Sequence, residues 1–173
     1  PPSERESSKW PQLRAQVHAV ARAVGFTGRL ISVNDREGDA WGSLTDALDN
    51  GHELLTRAAQ DRRLVGGGTL YRHLRQTPRA ADVTLTLHVR DAHGNVSTRQ
   101  ATIEVRWTRV SLRPPSHDPW MSPTTLSVVA IELYEAHPPP GVTRFHSRLL
   151  STCQTKDLAD VLDQVQWYSN RWA

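Results

Sequence analysis

Four apolar residues two apart, Val83, Leu85, Leu87 and Val89, alternate with Thr84, Thr86, His88 and Arg90. Side chains of a strand point to opposite faces in turn, whereas a helix repeats every 3.6 residues, so this run can bury one face only as a β-strand. The same period resumes at Ile103, Val105 and Trp107 after His93-Gly94-Asn95, which reads as the turn of a hairpin. Val110 and Leu112 then fall on the opposite parity, which predicts a bulge or bend near Thr108-Arg109. A long strand is expected near Leu126–Tyr134, beyond a proline-rich loop at Pro114–Pro123.

The flanks keep a different period. Leu13, Val17, Val20 and Val24 recur at helical spacing from about Trp10, with Gly25 placed to end an amphipathic helix. Leu30-Ile31-Ser32-Val33 is a short apolar run that reads as a buried strand, and its end delivers Asn34-Asp35-Arg36-Glu37. A second helix uses Trp41, Leu44, Ala47 and Leu48 and is closed by Asn50-Gly51 ahead of a strand at Glu53–Arg57. After Gly66-Gly67-Gly68 comes a short helical stretch, Thr69–Gln76. Past Pro138-Pro139-Pro140, an apolar piece at Leu149-Leu150 precedes a helix carrying Leu158, Val161, Leu162, Val165 and Tyr168. The expected organisation is an α/β framework over residues 1–63, a β-rich insertion over 64–140, and a return to the framework over 141–173.

Composition narrows the class. The 173 residues suffice for one ordinary domain with a core, or one core and a small satellite. A lone Cys153 excludes an internal disulfide and a cysteine-based zinc site. No window reaches the roughly 18 apolar residues of a membrane span, and the Pro1–Lys9 start is unlike a signal peptide, so a soluble protein with no membrane partner is expected. Of the 21 basic residues, Lys9 and Lys156 are the only lysines. Arginine's planar fork grips phosphate in two places, which suits a nucleic-acid surface, although codon bias in a GC-rich genome produces the same excess. The chain begins without methionine and ends on Arg171-Trp172-Ala173 inside what reads as a helix, so both ends look cut.

Candidate chemistry concentrates at Asp35-Arg36-Glu37-Gly38-Asp39. Acidic residues at strand ends can meet from distant segments to hold Mg²⁺; the structural alternative is a solvated acidic helix start, with Glu37 or Asp39 favouring the helix dipole. Other motifs fall short. The triple glycine lacks the Lys-Ser/Thr of a phosphate-binding loop, the eight histidines show no metal-binding helical spacing, and no serine stands in G-x-S-x-G.

The box Asp35-Arg36-Glu37-Gly38-Asp39 resembles the D-R-E-A-D box of bacterial insertion-sequence transposases of the DDE kind. Glu6-Ser7-Ser8-Lys9-Trp10 is similar to an E-S-x-K-W segment that precedes that box. Trp167-Tyr168-Ser169-Asn170-Arg171-Trp172 resembles the start of the Y-x2-R-x3-E-x6-K signature. The three matches keep the family's order over nearly the whole chain. The sequence departs at Gly38, where Ala is usual, and at Ser147, where the family often has a Trp that wedges into DNA.

The resemblance implies a fragment of a cut-and-paste DNA transposase, α/β in class, with a ribonuclease-H-like core interrupted by an antiparallel β-rich insertion. It makes Asp35 the second catalytic carboxylate and a ligand of Mg²⁺ or Mn²⁺, two ions in the complete enzyme. The first Asp would lie before Pro1 and the Glu two positions past Ala173, so the chain alone is expected to be inactive. Arg57 would lie near DNA phosphate, Tyr168 and Arg171 would contact a phosphate at the transposon end, and Trp172 would stack on a flipped base. Read without the resemblance, Arg57 is a surface arginine, and Tyr168 and Trp172 belong to a buried stripe. The implied partners are double-stranded DNA, both transposon end and target, and a second copy in a synaptic homodimer; the implied location is the bacterial cytoplasm, at the nucleoid. The alternative is a non-catalytic DNA- or protein-binding module derived from such an enzyme.

Overall fold

The computed structural model describes residues 6–90, 96–115 and 125–171. The expected turn at His93-Gly94-Asn95, most of the proline-rich loop and Trp172 lie outside them. The described elements follow as α1 (Glu6–Ala23), β1 (Ile31–Asn34), α2 (Trp41–Asp49), β2 (Glu53–Arg57), α3 (Leu70–Gln76), β3 (Ala81–Arg90), β4 (Val96–Leu112), β5 (Leu126–Tyr134), β6 (His146–Ser151) and α4 (Leu158–Asn170). The chain is therefore α/β.

One mixed sheet holds all six strands in the order β1-β2-β6-β5-β4-β3. β1 and β2 are parallel, as expected of strands joined through the helix α2, and the other four pairings are antiparallel. The strands of residues 64–140 thus share a single hydrogen-bonded sheet with β1, β2 and β6, and β6 is the strand that joins the two halves by pairing with both β2 and β5.

Each face of the sheet carries its own core. On one, Trp41 and Leu44 of α2 and Leu70 and Leu74 of α3 pack on Leu54, Val110, Leu112, Val128 and Leu150. On the other, Val161, Val165 and Tyr168 of α4, spaced 4 and 3 apart along one helical stripe, pack on Leu55, Ile103, Val105, Ile131 and Leu149.

This arrangement corrects the bulge expected near Thr108-Arg109. β4 pairs with β5 without a skipped residue from Glu104↔Tyr134 to Leu112↔Leu126. The strand runs on regularly; what changes is the face that is covered. Ile103 and Val105 are buried in the α4 core, whereas Val110 and Leu112 are buried in the α2 and α3 core. A switch of apolar parity within a regular strand marks the passage from one covering helix to another.

The second correction concerns α1. Leu13, Val17, Val20 and Val24, expected to be its buried stripe, are 49%, 46%, 62% and 74% exposed. The helix docks through Arg14 instead, which is buried and donates to Ser43 Oγ (3.1 Å), Ser43 O (2.9 Å) and Asp46 Oδ2 (2.7 Å). One turn on, His18 stacks on His52 with ring centroids 3.8 Å apart. The polar face wins because α2 and the turn after it offer charged and aromatic partners there, and charge-assisted bonds are about twice as strong as neutral ones.

Candidate nucleic-acid and carboxylate site

Asp35 is the residue after β1. Its backbone is extended, and a short 3-10 turn over Arg36–Gly38 follows, closed by Gly38 N–H donating to Asp35 O at 2.9 Å. The same carbonyl accepts from Oγ1 of Thr56, a fully buried β2 residue, at 2.9 Å. Asp35 is thereby fixed to the strand beside it.

The turn closes only because residue 38 is glycine. A Cβ there would stand 2.5 Å from Thr56 Oγ1 and 2.6 Å from Asn34 Cβ. The Ala usual at this place in the resembled box has no room beside this Thr56 and Asn34, so the substitution is tied to its neighbours.

Three of the residues singled out in the sequence meet at Asp35. Arg57 ends β2 one position beyond Thr56, and its Nη1 lies 4.0 Å from Asp35 Oδ1. Arg171 follows α4, and its Nη1 lies 3.7 Å from Asp35 Oδ2. Tyr168 is buried one helical turn before Arg171; burial pushes its hydroxyl pKa up and the nearby Asp35 adds to this, while Arg57 and Arg171 oppose it. Tyr168 thus belongs to the buried stripe and also faces the charged site. Helix α4 brings them there: the Asp157 side chain caps its start by accepting from Asp160 N–H at 3.1 Å, and the stripe Val161, Val165, Tyr168 sets its rotation.

An open groove of about 570 Å³ adjoins this point. Leu85, Leu87, Leu133 and Phe145 line it together with Arg57, Arg144, Ser147 and Tyr168. Ser147 is buried.

Asp35 Oδ1 is buried and accepts no hydrogen bond among the described residues. Such an orphaned carboxylate oxygen fits a divalent cation as one ligand. No three His, Cys, Asp or Glu side chains converge among the described residues.

Asp39 corrects the picture of a solvated acidic turn. It is 2% exposed, and its Oδ1 accepts from Arg62 Nε (2.9 Å) and Nη2 (2.6 Å), while Oδ2 accepts from the N–H groups of Ala59 and Gln60 (2.7 and 3.0 Å). Burial pushes its carboxyl pKa up, against the pull of Arg62. Arg62 also lies over the Trp41 ring, 5.7 Å from its centroid. This lock ties the Asp35 turn to the segment leaving β2; sequence reading missed it because Asp39 and Arg62 share no motif spacing, and only burial distinguishes Arg62 from exposed Arg63.

No known protein-family model matches the chain. Among the described residues, no helix is long and apolar enough to cross a membrane.

Proposed function

We propose that this chain is part of a DNA transposase of the DDE kind, with Asp35 as one of its catalytic carboxylates and a ribonuclease-H-like core built on the parallel β1-α2-β2 unit. The observation that carries the reading is the meeting of Asp35, Arg57, Tyr168 and Arg171 from three separated stretches of sequence, Asp35, Tyr168 and Arg171 singled out by motif and Arg57 by the resemblance alone. A carboxylate beside two guanidiniums suits a phosphodiester substrate, whose non-bridging oxygens the arginines would neutralise while Asp35 would serve as one ligand of a divalent cation.

Two Mg²⁺ or Mn²⁺ ions, when bound, supply activation of water and of a 3′ hydroxyl for in-line attack. This chain's part is to hold Asp35 in place through Thr56 and Gly38, and to present Arg57 and Arg171 to phosphate. Tyr168 backs both from the α4 core. The partners are duplex DNA at transposon end and target, and a second copy of the protein, in the bacterial cytoplasm at the nucleoid.

The test is cleavage of end-containing duplex with Mg²⁺ or Mn²⁺ by protein made from coding sequence that extends past Pro1 and Ala173. Nicking is expected, should vanish in Asp35→Ala, and should be absent for the 173-residue chain alone. Cleavage that survives Asp35→Ala overturns the reading.

One observation favours the second reading, a non-catalytic DNA- or protein-binding module of the same origin: no metal-binding group forms around Asp35 among the described residues. A reading frame that lacks a Glu two positions past Ala173 would select the module.

A further inference from the structure

Arg63 and Arg113 stand opposite each other in a place that should repel them. Leu64 and Leu112 form an isolated antiparallel bridge, and in register with it Arg113 N–H donates to Arg63 O at 2.8 Å. Both leucines are buried in the α2 and α3 core, so strand alternation turns the two neighbouring arginines outward together, and both are exposed. Like charges directly opposite in such a ladder are destabilising. Neither has an ion-pair partner among the described residues, although Arg113 Nη2 donates to Val65 O at 3.2 Å, a neutral acceptor that leaves the charge uncompensated.

More unpaired charge lies alongside. Arg63 also bridges Thr69, the residue before α3. Helix α3 buries Leu70 and Leu74 and leaves Arg72 and Arg75, three apart, exposed and likewise without an acidic partner among the described residues. The acid of this stretch, Asp61, is engaged by the Tyr71 N–H at 2.7 Å. Between Arg63 and α3 runs Gly66-Gly67-Gly68, exposed, with no atom within 4 Å of where a Cβ would stand at any of the three. A ligand backbone can therefore approach this surface closely between the arginines.

We infer that Arg63, Arg113, Arg72 and Arg75 form a second phosphate-binding surface that takes the backbone of duplex DNA, separate from Asp35. It rests on the DNA reading above and lies with the α2 and α3 core, whereas Tyr168 lies with the α4 core. An anion relieves the repulsion that the fold leaves between Arg63 and Arg113, and guanidinium forks bind phosphate oxygens in pairs. The chemistry favours a duplex over a single strand because the one Phe, Tyr or Trp ring of residues 61–76, Tyr71, is half-buried under Arg148, which leaves only the small His73 imidazole exposed for stacking. It disfavours an anionic membrane because Val65 is the one large exposed apolar side chain of residues 61–76.

The test compares the 173-residue chain with Arg63→Gln/Arg113→Gln, Arg72→Gln/Arg75→Gln and, at the other site, Arg57→Gln. Affinity for a mixed-sequence duplex of about 20 bp is measured by fluorescence anisotropy across about 50–200 mM salt. Each surface double variant should flatten the slope of log affinity on log salt by roughly 1.8, two contacts at about 0.9 each. The Arg63→Gln/Arg113→Gln protein should melt no lower than the parent, which shows that it is folded. An unchanged slope in both surface variants, with Arg57→Gln carrying the whole loss, overturns the inference and leaves the DNA reading standing. Loss of binding to single-stranded RNA or phosphatidylserine vesicles with duplex binding spared also overturns it. Loss of duplex binding in the surface variants, together with no cleavage by the extended protein, upholds the surface and overturns the transposase reading.

Discussion

Arg171, one residue past α4, holds its Nη1 3.7 Å from Oδ2 of Asp35, one residue past β1. The two come from opposite ends of the chain and meet because α4 lies on the sheet face toward which Asp35 and Arg57 turn. The side chains are 31% and 20% exposed, so solvent weakens their attraction. The pairing fits a contact that a phosphate can take over, with the guanidinium moving from carboxylate to ligand.

A double-mutant cycle on Asp35→Asn and Arg171→Ala should therefore give a coupling of about 0–1 kcal/mol in urea unfolding. Duplex affinity should fall in Arg171→Ala while stability stays near that of the parent. A coupling near the ~3 kcal/mol typical of a broken buried pair would make the contact a structural lock and remove the argument for exchange.

The opposite is expected of Asp39 and Arg62. Both are buried, and each removed alone leaves the other charge or its donors without a partner, at a cost of about 3–5 kcal/mol. Asp39→Asn and Arg62→Gln should each show this in chemical denaturation, and the double variant should be less destabilised than the sum of the two. Strict additivity would mean that the groups act independently.

Gly38→Ala tests the closed turn. With Thr56 Oγ1 and Asn34 Cβ in the way, the extra methyl forces backbone or side-chain movement of the kind that costs about 1–3 kcal/mol. A variant as stable as the parent would show that the turn has slack, and that Asp35 is held less firmly than the hydrogen bond from Thr56 indicates.

Stability should fall as the solution is acidified through the histidine range. Burial lowers the His52 pKa from its ordinary 6.5; His18, stacked on it, lowers it further, as do Arg14 and Arg22, against Asp46. A depressed folded pKa means the unfolded chain takes up the proton first, so this contribution is present above 6.5 and is lost as pH falls below it. Melting temperature measured between about pH 7 and pH 5 should decline, and His52→Asn should flatten the decline. An equal decline in the variant would assign the effect to other groups.

What could be read from the sequence is what depends on neighbours along the chain. Alternation at Val83, Leu85 and Leu87 marked β3, the spacing of Val161, Val165 and Tyr168 marked the α4 stripe, and the charged burst after Val33 marked the end of β1. The motifs also singled out Asp35, Tyr168 and Arg171 one at a time, and the resemblance added Arg57. That they meet at one carboxylate was decided by the tertiary structure, through sheet order and the face on which α4 lies. The same holds where local reading failed. Val110 changes face with no bulge because a different helix covers it, α1 leaves Val17 and Val20 outside because Arg14 and His18 find partners on α2 and the turn after it, and Asp39 is buried because Arg62 reaches it across 23 positions. Periodicity records which residues share a side of an element, whereas burial depends on what another part of the chain places against that side, and that information is non-local.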